Sequence, residues 1–153
     1  MKERIMFSQN NESWCGVACI QEALYRKRKK VMTQNELAEL LGTTEEHGTS
    51  HEQMLEGATK LGLNAKIYLG LSLNKLQEMV DDGYVVIVNW MSGRKYDEDG
   101  HYSILEDVDE DIVTINDPEF LGSIRKFRRI DFEKMWFDFE TKGRVDRMAL
   151  VVI

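Results

Sequence analysis

A cysteine, a histidine and an aspartate far apart in this chain are the residues best placed to do chemistry together. Cys15 stands where the polar segment Ser8–Ser13 gives way to Cys19, Ile20, Ala23 and Leu24, apolar residues at spacings of three and four that mark one buried helical face. Cys15 therefore begins a helix, where unpaired backbone N–H groups carry partial positive charge and favour the thiolate, the nucleophilic form of the side chain. Gly16 leaves room beside it for a substrate's backbone. Cys19, on the apolar face, reads as a buried and inert thiol.

His101 follows Gly100 and opens a run with strand character, so it is a base on a rigid element, as thiol activation requires. An odd-numbered loop centred on Asp109 would set residue 101 opposite 117, 103 opposite 115 and 105 opposite 113. One sheet face then carries His101, Ser103, Leu105, Val113, Ile115 and Asp117, with its apolar members packed on the nucleophile helix. Asp117 could accept a hydrogen bond from the His101 ring across that face, whereas a one-residue slip would separate the two. Asn116-Asp117-Pro118 also reads as a plain turn former. Gln9 supplies an amide donor that could meet an oxyanion together with the Cys15 N–H, or it is simply an exposed loop residue.

Other candidates carry less. His47 and His51 are rival bases, read as surface residues of a polar loop and a first helical turn. Two cysteines four apart in a helix are too few for a disulfide framework and poorly disposed for a bridge, and no tight ligand set for zinc accompanies them. No metal and no cofactor is expected.

The elements that must position these groups can be read from periodicity. Helices are predicted from Cys15 to about Lys27 with Ser13 as cap, from Thr33 to Leu41 with Thr33 and Glu36 as a reciprocal cap and Gly42 as terminator, from Ser50 to Leu61, and from Ser72 to Asp82. Asn64–Leu69 reads as a short strand. After Gly83 the period changes, and Tyr84–Met91, His101–Val108, Ile112–Asn116 and Met148–Val152 read as strands. Gly93–Gly100 reads as an exposed loop and Asp131–Trp136 as a short late helix. Helices first and strands after favour an α+β fold, with helices packed on a mostly antiparallel sheet.

Composition sets the outer bounds. A chain of 153 residues with 42% hydrophobic and 31% charged residues suits one globular domain, expected over 1–153. The start, with Lys2, Glu3 and Arg4, is unlike a secretory signal, and the longest clean apolar run, Val85–Val88, is far too short to cross a bilayer. A cytoplasmic protein without membrane insertion is expected. The net charge of −7 disfavours nucleic acid as a partner. The basic run Arg26–Lys30 is the local exception, and it falls where cations complement the C-terminus of the first helix.

Gln9, Cys15-Gly16-Val17-Ala18-Cys19, Gly100-His101-Tyr102-Ser103 and Ile115-Asn116-Asp117-Pro118 together resemble the bacteriocin-processing, double-glycine-leader cysteine peptidase family of the papain-like superfamily. The resemblance spans Gln9 through Asp117. It implies a papain-like fold with Cys15 as nucleophile, His101 as general base, Asp117 orienting the base and Gln9 in the oxyanion hole. Members that process leaders usually form part of an export transporter, and the residue before their nucleophile is often acidic where this chain has Trp14. The expectation is thiol-dependent hydrolysis of a peptide or amide in a peptide or protein substrate. The competing expectations are a catalytically silent domain that binds peptides or a partner protein, and a basic-patch module built on Arg26–Lys30.

Overall fold

The computed structural model of the chain describes residues 7–94, 98–120 and 123–153. The charged start at residues 1–6, and residues 95–97 of the predicted loop, lie outside them. Helices α1 (Cys15–Arg28), α2 (Gln34–Leu41) and α3 (His51–Lys60) come first, followed by strand β1 (Ala65–Tyr68) and helix α4 (Leu73–Asp81). Then come β2 (Val85–Trp90), β3 (His101–Val108), β4 (Ile112–Asp117), a 3₁₀ turn (Pro118–Phe120), β5 (Ser123–Arg128), α5 (Arg129–Met135), β6 (Phe137–Glu140), β7 (Gly143–Asp146) and β8 (Ala149–Val152).

Local chemistry sets most of the helix limits. Thr33, Ser50 and Ser72 cap α2, α3 and α4 by accepting from backbone N–H groups three residues on, and Ser50 with Gln53 forms a full capping box. At α2 the reciprocal half of the box is absent, because the Glu36 carboxylate takes the Thr33 hydroxyl instead. Gly42 ends α2 at φ +71°, a conformation open to glycine. Helix α1 departs from expectation at its start. Its N-cap is Trp14, with no side-chain cap, and the Ser13 hydroxyl bonds Asn11 instead.

The main sheet has the order β1-β8-β2-β3-β4-β5, antiparallel throughout, and β6-β7 form a separate ribbon. The last strand thus slots between β1 and β2. Strand β2 is buried at every position, and its unbroken apolar run reflects a central strand covered on both faces. On one face α1, α2 and α3 bury Ile20, Leu24, Leu37 and Met54 against Ile87, Tyr102 and Ile104. On the other, α4 and α5 bury Leu76 and Phe132 against Trp90, Leu105, Ile115 and Trp136. Each such aliphatic or aromatic side chain contributes roughly 1.5–3 kcal/mol by leaving water.

The fold is therefore α+β as the element order suggests, with α4 and α5 covering the second face. The basic run closes α1. Arg26 pairs with Glu22 at 2.8 Å and with Glu106, Lys27 and Arg28 reach the carbonyls of Gly83 and Gly62, and Lys29 takes the left-handed cap position. No described helix is long and apolar enough to cross a membrane.

Candidate active site

The β3–β4 hairpin decides which side chains share a face. At its turn the Asp109 N–H donates to the Ile112 carbonyl, and the Asp109 carboxylate accepts from the N–H groups of Asp111 and Ile112 at 2.8 and 2.7 Å. Val108 pairs with Val113, so four residues separate the first pair and the loop is even, not odd. An even loop alone would put His101 and Asp117 on opposite faces. The ladder breaks between Leu105 and Asp107, where Glu106 bulges, and it resumes with Leu105 opposite Ile115 and Ile104 opposite Asn116. The extra residue restores the parity. Relative to the expected register the pairing is displaced by two, so His101 and Asp117 are diagonal neighbours on a common face.

Glu106 is held in turn by α1. Its Oε1 accepts from Arg26 and, at 3.2 Å, from the Asn116 amide, and its side chain is nearly buried. The helix that carries Cys15 is thereby tied to the bulge that sets the face of His101.

His101 Nε2 lies 2.7 Å from Asp117 Oδ1, both side chains fully buried. The same carboxylate accepts from the Glu119 N–H at 3.0 Å, from Arg94 at 3.0 Å and from Arg125 at 3.1 Å. Burial pushes the Asp117 carboxyl up, but the His101 hydrogen bond and charge, the Glu119 N–H and Arg94 together hold it far below the ordinary carboxylate range. Asp117 is therefore an acceptor, and Nε2 of His101 carries the proton. Whenever the ring is neutral, its lone pair is then on Nδ1. Trp90 packs edge-on to the ring, with centroids 5.8 Å apart. The apolar members of this face, Leu105, Val113 and Ile115, pack with the α4–α5 core and not on α1, where Tyr102 and Ile104 lie instead.

Cys15 is the first residue of α1 and 9% exposed. It lines a groove of about 700 Å³ that also includes Ser13, Asn89, Gly100 and Tyr102. The two neighbours of His101 in the chain thus share a groove with Cys15. The segment leading to Cys15 is anchored beside Asp117, because the Gln9 N–H donates to the Pro118 carbonyl at 3.0 Å and the 3₁₀ turn after Asp117 packs on α1. The Gln9 side-chain amide donates to the carbonyls of Asn11 at 2.7 Å and Glu12 at 3.2 Å, bracing the loop before the helix. Cys19 is fully buried, and burial, then the charges of Cys15, Asp117 and Glu22, push its thiol well up.

Several participants escape sequence reasoning. His51 is buried rather than a surface residue, with Nδ1 2.6 Å from Tyr102 Oη and Nε2 2.7 Å from Asp138 Oδ1. Tyr102 Oη also donates to the Thr49 carbonyl at 3.0 Å. Burial, reinforced by Glu140, pushes the Tyr102 phenol well up, and burial likewise raises Asp138 despite its bond to His51. His51, Asp138 and Glu140 each bring one ligand atom within 4.8 Å of the others, the spacing of a small metal site. The His51 nitrogens are already engaged, and Glu140 accepts the His51 N–H, so hydrogen bonds within the cluster use these atoms. Arg94 and Arg125, which flank Asp117, lie in a predicted loop and in a strand that the sequence pattern does not mark. Partners separated by tens of residues leave no local periodicity to find.

The architecture is that of papain-like peptidase domains, and comparison with known proteins narrows it. The model of the Peptidase C39 family matches residues 4–139, and the chain belongs to that family. An uncharacterized protein of Methanothermobacter thermautotrophicus is 33% identical over 128 residues, 84% of this chain and 80% of that one. Among solved structures, the peptidase domain of Streptococcus ComA, a bi-functional ABC transporter involved in quorum sensing, superposes with a TM-score of 0.73 at 20% identity, covering 96% of both chains. A double glycine motif protease from an AMS/PCAT transporter, in complex with its leader peptide, gives 0.71 at 19% identity over 98% of this chain and 91% of that one. A putative C39-like peptidase from Bacillus anthracis gives 0.70 at 16%, covering 97% and 94%. These likenesses establish a shared fold.

Proposed function

We propose that this chain is a cysteine peptidase, one catalytic domain over 1–153 working in the cytoplasm, with Cys15 as nucleophile, His101 as general base, Asp117 orienting the base and Gln9 assisting at the oxyanion. The observation that carries the reading is the 2.7 Å bond from His101 Nε2 to Asp117, at the sheet end where the segment before Cys15 is anchored through Gln9 and Pro118. The substrate is a peptide or protein. Membership of a peptidase family, and the leader peptide bound to one structural relative, favour a peptide bond over other amides.

His101 Nδ1 takes the Cys15 thiol proton as sulfur attacks the scissile carbonyl carbon. The carbonyl electron pair moves onto oxygen, where first-turn N–H groups of α1 stabilise it. Gln9 would join them by releasing the longer of its two amide bonds, that to Glu12. Collapse breaks the C–N bond, and the amine leaves with the proton from His101. Water, deprotonated by the same imidazole, then cleaves the thioester and frees Cys15.

A silent, peptide-binding domain is the second reading, favoured by the complete burial of His101 and by the engagement of Gln9 with its own loop. Iodoacetamide labelling near pH 7.5 with mapping by mass spectrometry separates the two, because ordinary thiols are scarcely ionised there. Rapid labelling of Cys15, slowed in His101→Ala, with cleavage of a Gly-Gly peptide lost in Cys15→Ala, is the expected result. A Cys15 as inert as Cys19, with no cleavage, would leave the silent domain standing.

A further inference from the structure

Tyr102 stands between the base and the nucleophile. It follows His101 on β3, and because side chains alternate along a strand it turns to the sheet face that α1 covers, where it packs with the α1 core. Its ring lies directly against Gly16. A Cβ on Gly16 would sit 3.1 and 3.3 Å from Tyr102 Cδ2 and Cε2, and 2.9 Å from Met54 Sδ. The space beside Gly16 is thus filled by the protein and not kept open for a substrate's backbone, and the first turn of α1 rests on the residue after His101.

The hydroxyl fixes where that ring lies. It donates to the Thr49 carbonyl at 3.0 Å, accepts from the side-chain amide of Asn89, its cross-strand partner on β2, and lies 2.6 Å from His51 Nδ1. With the phenol proton given to Thr49, Nδ1 carries its own and donates, so the one donor and both lone pairs of the phenol are used. His51 is held in turn, with Nε2 2.7 Å from Asp138 Oδ1 and its backbone N–H donating to Glu140 at 2.6 Å. Filling the core asks only for the ring, whereas the hydroxyl ties it to the start of α3 and to β2.

We infer that Tyr102 is a positioning residue for Cys15: its hydroxyl, locked by His51, Thr49 and Asn89, fixes the ring on which Gly16 rests and so sets the approach of the thiol to His101. This deepens the peptidase reading and rests on it for the roles of Cys15 and His101. Reacting groups must be held to within about 0.5 Å, and a misplacement of about 1 Å can cost on the order of 10²-fold in rate, so a loosened ring acts on turnover and not on substrate binding.

Tyr102→Phe keeps the ring and removes its anchor, and His51→Gln removes the anchor from the other side. With a labelled Gly-Gly peptide, well below the unfolding midpoint, each is expected to lower kcat by roughly tenfold while KM stays within about twofold of the parent. The double variant should be little worse than either single one, since both act through one contact. Leu76→Ala, a cavity in the buried α4–α5 core, is the control for lost stability: it lowers the urea midpoint and leaves kcat of the folded protein within about twofold. Gly16→Ala reaches the same contact from α1, at a helical position that suits alanine, and should lower kcat by at least about threefold. Should the network variants not fold, Gly16→Ala decides alone. Parent-like kcat in Tyr102→Phe or Gly16→Ala, a loss confined to KM, or additive losses in the double variant would each overturn the inference, while an active parent upholds the peptidase reading. A parent that cleaves nothing, with Cys15 labelled no faster than Cys19, would overturn both.

Discussion

The ring of His101 and the carboxylate of Asp117 meet across a diagonal of the β3–β4 ladder, 2.7 Å apart, and they share a face because Glu106 bulges between them and the turn. Even loop and bulge each invert the face, and together they cancel.

Asp117→Asn replaces the acceptor that fixes the His101 tautomer and removes a charge facing Arg94 and Arg125. Peptidase turnover is expected to fall by at least about 10²-fold, as when a base loses its orienting partner. The pH dependence follows from the sign of the shift. The folded-state value lies below the ordinary one, so the unfolded chain binds more protons and stability rises with pH through that window. The Asp117 contribution is complete above roughly pH 4 and is lost in stronger acid. Urea midpoints between about pH 2 and 6 should show this slope in the parent and a flatter one in Asp117→Asn.

Glu106→Ala removes the side chain that accepts from Arg26 and Asn116 at the bulge. A loss of about 1–3 kcal/mol is expected from the abandoned donors. Urea denaturation measures it, and Arg26→Ala in the same background should cost less than it does alone, since the two share one interaction.

Gly100→Ala introduces a Cβ that would overlap Asn89 Oδ1 and sit 2.7 Å from Asp138 Cβ, at φ +128°. Strain and overpacking predict a loss of roughly 2 kcal/mol or more. His101 follows directly in the chain, so kcat for a Gly-Gly peptide should fall beyond what the stability loss explains at low temperature.

Asp138→Asn addresses the opposite case. Burial holds the folded-state Asp138 value above the ordinary one, so the folded chain binds the extra proton and stability falls as pH rises through the window. The variant lacks that loss. Its urea midpoint is expected to improve relative to the parent as pH rises from about 4, levelling once the parent carboxyl is ionised.

The sequence by itself determined the helices, because caps at Thr33, Ser50 and Ser72 and apolar spacings of three and four act over a single turn. It also carried the α+β order, the strand character of β2, β3, β4 and β8, and the inert placement of Cys19 in the α1 core. The candidates Cys15, His101, Asp117 and Gln9 were visible as residue types at the margins of those elements. Tertiary structure alone decided the partners. The parity of the β3–β4 pairing depends on a turn of even length and a bulge, neither of which changes the alternation along one strand. The clamp of Arg94 and Arg125 on Asp117 and the burial of His51 between Tyr102 and Asp138 join residues tens of positions apart. Periodicity reports which face of an element is buried, whereas contact across elements is fixed by how the layers pack, and that is where the chemistry of this chain is assembled.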